Sequence, residues 1–210
     1  MLPLDFPPWI TVYHIFYRWR LTGAWGSMNV AFREVDRRQA GQMRRPSAAI
    51  IDSRSVTTTE SGGPNRYDAS KKINGHKRHL IVDTLGFLLA VIVHPADQQD
   101  QDGACLVLYG LWEKLERIRV IFADSAYGRR RLPQFVQSTL GHGLELVQKP
   151  KGTVGFEVVR KRWVVERTFA WIGRSRRHSK DYETNPHTSE TFIRIAMIQL
   201  MLRRLVPSNN

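Results

Sequence analysis

Two short apolar runs, Ala48-Ala49-Ile50-Ile51 and Val120-Ile121-Phe122-Ala123, each stop at an aspartate, Asp52 and Asp124. Runs without polar alternation read as strands covered on both faces, which forces helices onto both sides of a sheet. A third run, Phe87 to His94, follows Arg78 to Asp83 across a Thr84-Leu85-Gly86 turn and reads as the second arm of a hairpin. Helical patterning covers 102–116, 132–139, 157–173 and 189–205, and Leu144 to Val147 is a further short strand. The order β, β, β, α, β, α, β, α, α predicts an α/β domain with a mixed sheet flanked by helices.

Ahead of this lies a different pattern. Trp9, Tyr13, Phe16 and Tyr17 form an i, i+4, i+7, i+8 stripe over residues 8–22. Thr22 to Gly26 interrupts it, and Ser27 is placed to cap a second helix through Gln39. This is a small N-terminal helical segment with a helix-turn-helix outline, and two helices alone bury little, so it must lean on the main domain or on a second copy. Gly41 to Ser47 reads as a linker. The domain boundaries are therefore 1–46 for the helical segment and 47–210 for the main domain. Residues 53–77, with Gly62-Gly63-Pro64-Asn65, read as a long loop.

The chain carries 32 Lys and Arg against 19 Asp and Glu, a formal charge of +13. That surplus suits a polyanionic partner, with nucleic acid ahead of an anionic membrane surface. The C-terminal run from Phe192 to Leu202 is broken by Arg194 and Gln199, too short and too polar to span a bilayer. No membrane partner is expected. The N-terminus lacks the basic and apolar regions of a secretory signal. Cys105 is the only cysteine, which excludes an internal disulfide and a cysteine-based zinc site and suits a reducing cytoplasm.

Asp52, Asp124 and a third acid, Glu166 in the helical stretch Arg160 to Phe169, form a candidate set. Phosphodiester transfer must neutralise charge on the phosphate and activate an attacking oxygen, and two Mg²⁺ ions about 4 Å apart do both. Mg²⁺ takes hard oxygen ligands and keeps several waters, so a few carboxylates suffice. Strand-terminal aspartates stand where open α/β sheets place such ligands. Turn or cap roles for the aspartates, and a surface pair of Glu166 with Arg162, stay open on residue patterns alone. Residues 158–180 hold eight cations, including Arg162, Arg167, Arg174, Arg177 and Lys180, against one acid. Mutual repulsion favours phosphates between them. Lys71, Lys72, Lys77 and Arg78, and then Arg129 and Arg130, are further candidates for DNA contact. His76 and His79 have no third ligand in view and read as part of the basic loop, not as a zinc site.

Four stretches, taken together and in order, resemble the DDE transposases of bacterial insertion sequences, in the insertion-sequence-five family of the insertion-sequence-four group. They are Ala48 to Val56, Tyr67 to His79, Phe122 to Gly128 and Arg162 to Trp171. The resemblance implies a ribonuclease-H-like domain in which Asp52, Asp124 and Glu166 are catalytic and bind two Mg²⁺ ions, with Mn²⁺ able to substitute. Arg162 takes the arginine of the family's Tyr-x2-Arg-x3-Glu-x6-Lys signature, whereas Val159 and Gly173 stand at the tyrosine and lysine positions. Family members carry more sequence before Phe6, so the resemblance implies an incomplete N-terminal DNA-end-binding part.

The expected function is cleavage of double-stranded DNA at terminal inverted repeats and joining of 3′-hydroxyls to target DNA, by a homo-oligomer on DNA in the bacterial cytoplasm, on the nucleoid. A non-catalytic DNA-binding remnant and a metal-dependent nuclease of the same fold are the alternatives.

Overall fold

The computed structural model describes residues 3–60, 63, 66–110, 117–124, 127, 131–141, 143–147 and 161–206. Its centre is a six-stranded sheet of β1 (Ala48–Thr57), β2 (Arg66–Asp68), β3 (Ile73–Asp83), β4 (Leu88–Pro95), β5 (Val120–Asp124) and β6 (Gly143–Val147). β3 runs antiparallel to β1 and also pairs, antiparallel, with β2 and β4. On the other side of β1, β5 and then β6 run parallel. Six α-helices stand among the described residues: α1 (Trp9–Leu21), α2 (Ala24–Gln39), α3 (Asp100–Tyr109), α4 (Arg131–Phe135), α5 (Arg162–Gly173) and α6 (Pro186–Leu205). A mixed sheet of this order, clad by helices on both faces, is the ribonuclease-H-like arrangement.

Alternation along β1 sorts the core, because successive strand residues point to opposite faces. Ile50 joins Leu80, Val82 and Phe122 under α5 and α6, with Val165, Phe169, Ile193 and Met197. Ala49 and Ile51 join Ile81 and Ile121 under α3 and α4, with Ala104, Leu108 and Leu132. Both faces are dry, which is why these strands read as continuous apolar runs.

Four expectations are corrected. β1 does not stop at Asp52 but continues to Thr57, and β3 begins at Ile73, so half of the expected 53–77 loop is strand. These segments hid because their inward side chains are polar yet partnered. Ser55 bonds Asp68 and Lys77 pairs with Asp100, so no apolar period marks them. α2 starts at Ala24, not after Ser27: Gly23, at φ 74°, turns the chain into the helix, and only glycine enters that left-handed region without strain. His76 and His79 are not loop residues but fully buried on β3, where His76 Nδ1 lies 3.3 Å from Asp181 and His79 stacks on His94. α6 begins earlier than expected, at Pro186, with Asn185 accepting from the His187 amide at 2.9 Å.

The N-terminal helices differ in their attachment. α2 packs on α6 and the β4 edge: Arg33 donates to the Leu88 carbonyl at 2.7 Å, Arg37 pairs with Asp83 at 2.6 Å, and Arg204 reaches Asp36 at 3.2 Å. α1 has no buried residue and touches the main domain through Phe16, stacked on Phe192. The helices expected at 102–116 and 157–173 are seen as α3 and α5, and residues 111–116 and 157–160 lie outside the described residues.

Candidate active site

Two neighbouring parallel strands bring the first two acids to one level. β1 and β5 pair from Ala48↔Val120 to Ile50↔Phe122, and two residues further along each strand stand Asp52 and Asp124. They share the face that Ile50 and Phe122 present to α5. That helix is fixed to the sheet by Val164, Val165 and Phe169, which leaves its first turns beside the strand ends.

Arg162 completes the grouping. Its Nη1 lies 3.0 Å from Asp124 Oδ2 and its Nε 3.1 Å from Glu166 Oε1, so one guanidinium ties the second aspartate to the glutamate. Both contacts are partly exposed, and such pairs contribute about 1 kcal/mol or less each. Their consequence is placement rather than stability. Asp52 accepts the Ser53 amide at 2.8 Å. Burial pushes its carboxyl up to about 6, and the Asp124 charge works in the same direction, while the Ser53 amide, Arg162 and Lys71 pull the other way.

The donor set suits a hard divalent cation, since Asp52 and Asp124 offer oxygen only and Mg²⁺ is commonly held by one or two carboxylates plus water. The described residues hold no cluster of three or more His, Cys, Asp or Glu side chains around one point. The Arg162 guanidinium supplies positive charge beside both Asp124 and Glu166.

The expected DNA-contacting cations other than Arg162 divide into four groups. Arg174, Lys180, Lys71 and Lys72 are exposed, and Arg177 is half-exposed, pairing with Glu183 and lying over the Phe192 ring. Lys77 and Arg78 are interior: Lys77 Nζ meets Asp100 at 3.0 Å and the Gln98 carbonyl at 2.8 Å, and Arg78 meets Asp181 and the His178 carbonyl. Burial and these partners take both off the DNA-facing surface. Arg167 lies between Trp163 and Trp171, 4.5 Å from each ring, and donates to the Leu85 carbonyl at 2.8 Å, so it braces the β3–β4 turn. Arg129 and Arg130 lie outside the described residues.

Sequence reasoning missed the polar layer behind Asp52. Ser53 donates its hydroxyl to Asp100 at 2.8 Å, and Asp100 in turn holds Lys77. Ser53, Arg54 and Ser55 are polar throughout, so no apolar period signals that layer. A cavity of about 860 Å³ lies elsewhere, between α2, α6 and the β4 edge, and none of the three acids lines it.

Comparison with known proteins gives the class: a DDE transposase. Residues 43–201 match the Transposase DDE domain family, and the chain belongs to that family. The proposed transposase of insertion sequence element IS402 from Burkholderia cepacia is 30% identical over 154 residues, covering 70% of each protein. The catalytic core domain of BIV integrase, a solved structure, shares 14% identity over 78% of this chain and 86% of its own, with a TM-score of 0.41. No described helix is long and apolar enough to cross a membrane.

Proposed function

We propose that this transposase cuts double-stranded DNA at the terminal inverted repeats of its element and joins the freed 3′-hydroxyl to target DNA, working as a homo-oligomer on DNA. The observation that carries the reading is the level placement of Asp52 and Asp124 on adjacent strands, with Glu166 held to Asp124 through Arg162. Asp52 and Asp124, with Glu166 beside them, would hold the divalent cations, two Mg²⁺ or Mn²⁺ ions. Bound there, the ions would offset phosphate charge and make an attacking oxygen more nucleophilic.

The chain's own side chains do the rest. Arg162 offers a planar fork suited to a phosphate oxygen pair, and Lys71, Lys72, Arg174, Arg177 and Lys180 supply exposed cations for the backbone. The buried strands fix the aspartates, so the carboxylates need little reorganisation when substrate arrives.

The test is nicking of supercoiled plasmid with Mg²⁺ or Mn²⁺ against Asp124→Asn. The variant should retain DNA binding, because it removes no cation, and lose at least about 100-fold in cleavage rate, the scale of one lost transition-state charge interaction. Equal cleavage by variant and parent would falsify the assignment.

A further inference from the structure

The buried carboxylate of Asp68 is used by none of the steps above, yet it collects five polar contacts. Oδ1 accepts the Ser70 amide at 3.0 Å, the Ser70 hydroxyl at 2.6 Å and the Lys71 amide at 3.2 Å. Oδ2 accepts the Ser55 hydroxyl at 2.7 Å and lies 3.5 Å from Lys77 Nζ. One oxygen thus grips the turn between β2 and β3, and the other grips the strands beneath it. The turn is tight: Lys72 is held at φ 55°, in the left-handed region that non-glycine residues rarely adopt.

What this turn presents is Lys71, an exposed cation, and the turn is tied to the strand that carries Asp52: Asp68 accepts from Ser55 of that strand and meets Lys77, which pairs with Asp100, the acceptor of the Ser53 hydroxyl next to Asp52. A flexible lysine on a free turn would sample many positions in solvent. Two consecutive backbone amides bound to one carboxylate remove that freedom at the base of the side chain.

We propose that Asp68 is a positioning residue: by fastening the β2–β3 turn to the strand that carries Asp52 it holds Lys71 in a fixed place, where its ammonium meets a phosphate of the DNA strand being cut. The inference rests on the DNA-cutting function above and assigns Asp68 a part in it through Lys71 alone. Its sign is informative. Asp68→Asn removes a negative charge from a chain that binds a polyanion, and a charge effect alone would tighten DNA binding. Loss of positioning weakens it instead.

The experiment measures binding of a short duplex in EDTA across a salt series, alongside plasmid nicking and thermal unfolding, for the parent, Lys71→Gln, Asp68→Asn, Ser70→Ala and the Asp68→Asn/Lys71→Gln double variant. Lys71→Gln, on the surface, should fold as the parent does and lower the salt slope by about 1, the contribution of one phosphate contact. Between about 50 and about 200 mM salt that is roughly a fourfold change in relative affinity. Asp68→Asn should move the slope the same way and weaken binding, Ser70→Ala should do so to a smaller extent, and the double variant should be no worse than Lys71→Gln. Tighter or unchanged binding by a folded Asp68→Asn, an unchanged slope in Lys71→Gln, or additive losses in the double variant overturns the positioning role. If Asp68→Asn does not fold, Ser70→Ala against Lys71→Gln decides by the same slope. A parent that neither binds nor nicks DNA refutes the function itself; a parent that does both, with a series that fails to follow, refutes only this inference.

Discussion

Removing Arg37 should unfold the link between the N-terminal helices and the sheet. Its guanidinium meets Asp83 Oδ2 at 2.6 Å, with side chains 4% and 0% exposed, and its Nε donates to the Met43 carbonyl at 2.8 Å. Breaking a buried pair by deleting one partner costs about 3–5 kcal/mol, because the remaining charge stays desolvated. Asp83 retains two amide donors, Leu85 and Phe87, both at 2.9 Å, and Met43 is exposed enough for water to replace the arginine. The low end applies, and Arg37→Met should cost about 3 kcal/mol. For a protein of this size that is a fall of roughly 6–12 °C in Tm. Urea unfolding followed by circular dichroism gives the free energy directly. Asp83→Asn should relieve the stranded charge, so the Arg37→Met/Asp83→Asn double variant should lose less than the sum of the single variants. A loss below about 1 kcal/mol for Arg37→Met, or strict additivity in the double variant, would refute the argument that a desolvated carboxylate sets the cost.

Gly103→Ala should destabilise without touching the acidic grouping, since a Cβ there would lie 2.3 Å from His79 Nε2 and 2.5 Å from His94 Nε2. The expected overpacking cost is about 1–3 kcal/mol, and an unchanged urea midpoint would contradict it. Acid sensitivity should come first from buried histidine. Burial, with Arg78 beside it, lowers His178 to about 4, and burial with His94 lowers His79 to about 3. Below about 6.5 the unfolded chain takes protons that the folded chain refuses, so these histidines make stability fall as pH drops from about 6.5 toward their folded values. Asp52, raised to about 6, works in the opposite sense over part of that window. Comparing the parent with His178→Gln isolates one histidine: their stability difference should change by about 2 kcal/mol between pH 7 and pH 5, and a constant difference would sink the assignment. Asp181, lowered to about 2 because bonds from His76, Ser189 and Arg78 outweigh its burial, adds a separate loss only as pH falls below about 4.

The strands that read clearly were those whose two faces are both apolar. Ile50 and Ile51 face opposite cores, as do Ile121 and Phe122, so their hydrophobic runs carry the fold without ambiguity. The second half of β1 and the first half of β3 carry the same backbone pairing, from Asp52↔Leu80 to Thr57↔Gly75, but fill their inward positions with serine, lysine and histidine. Nothing in such residue types distinguishes a partnered interior from a solvated loop. The partners, Asp68, Asp100 and Asp181, lie outside both segments.

The same limit divides the basic residues. Lys71, Lys72, Lys77 and Arg78 stand within eight residues of one another, and by composition they form one basic cluster. The β3 register separates them, because Lys77 and Arg78 are central strand residues opposite Ser55 and Arg54, while Lys71 and Lys72 occupy the turn that leads into the strand. A buried lysine must be matched by carboxylates, and Asp68 and Asp100 match Lys77. Lys77 therefore serves the interior, and the acid that neutralises it also orders the turn carrying Lys71. Charge counted along the chain thus overstates the surface available to DNA, and strand register decides which cations remain on it.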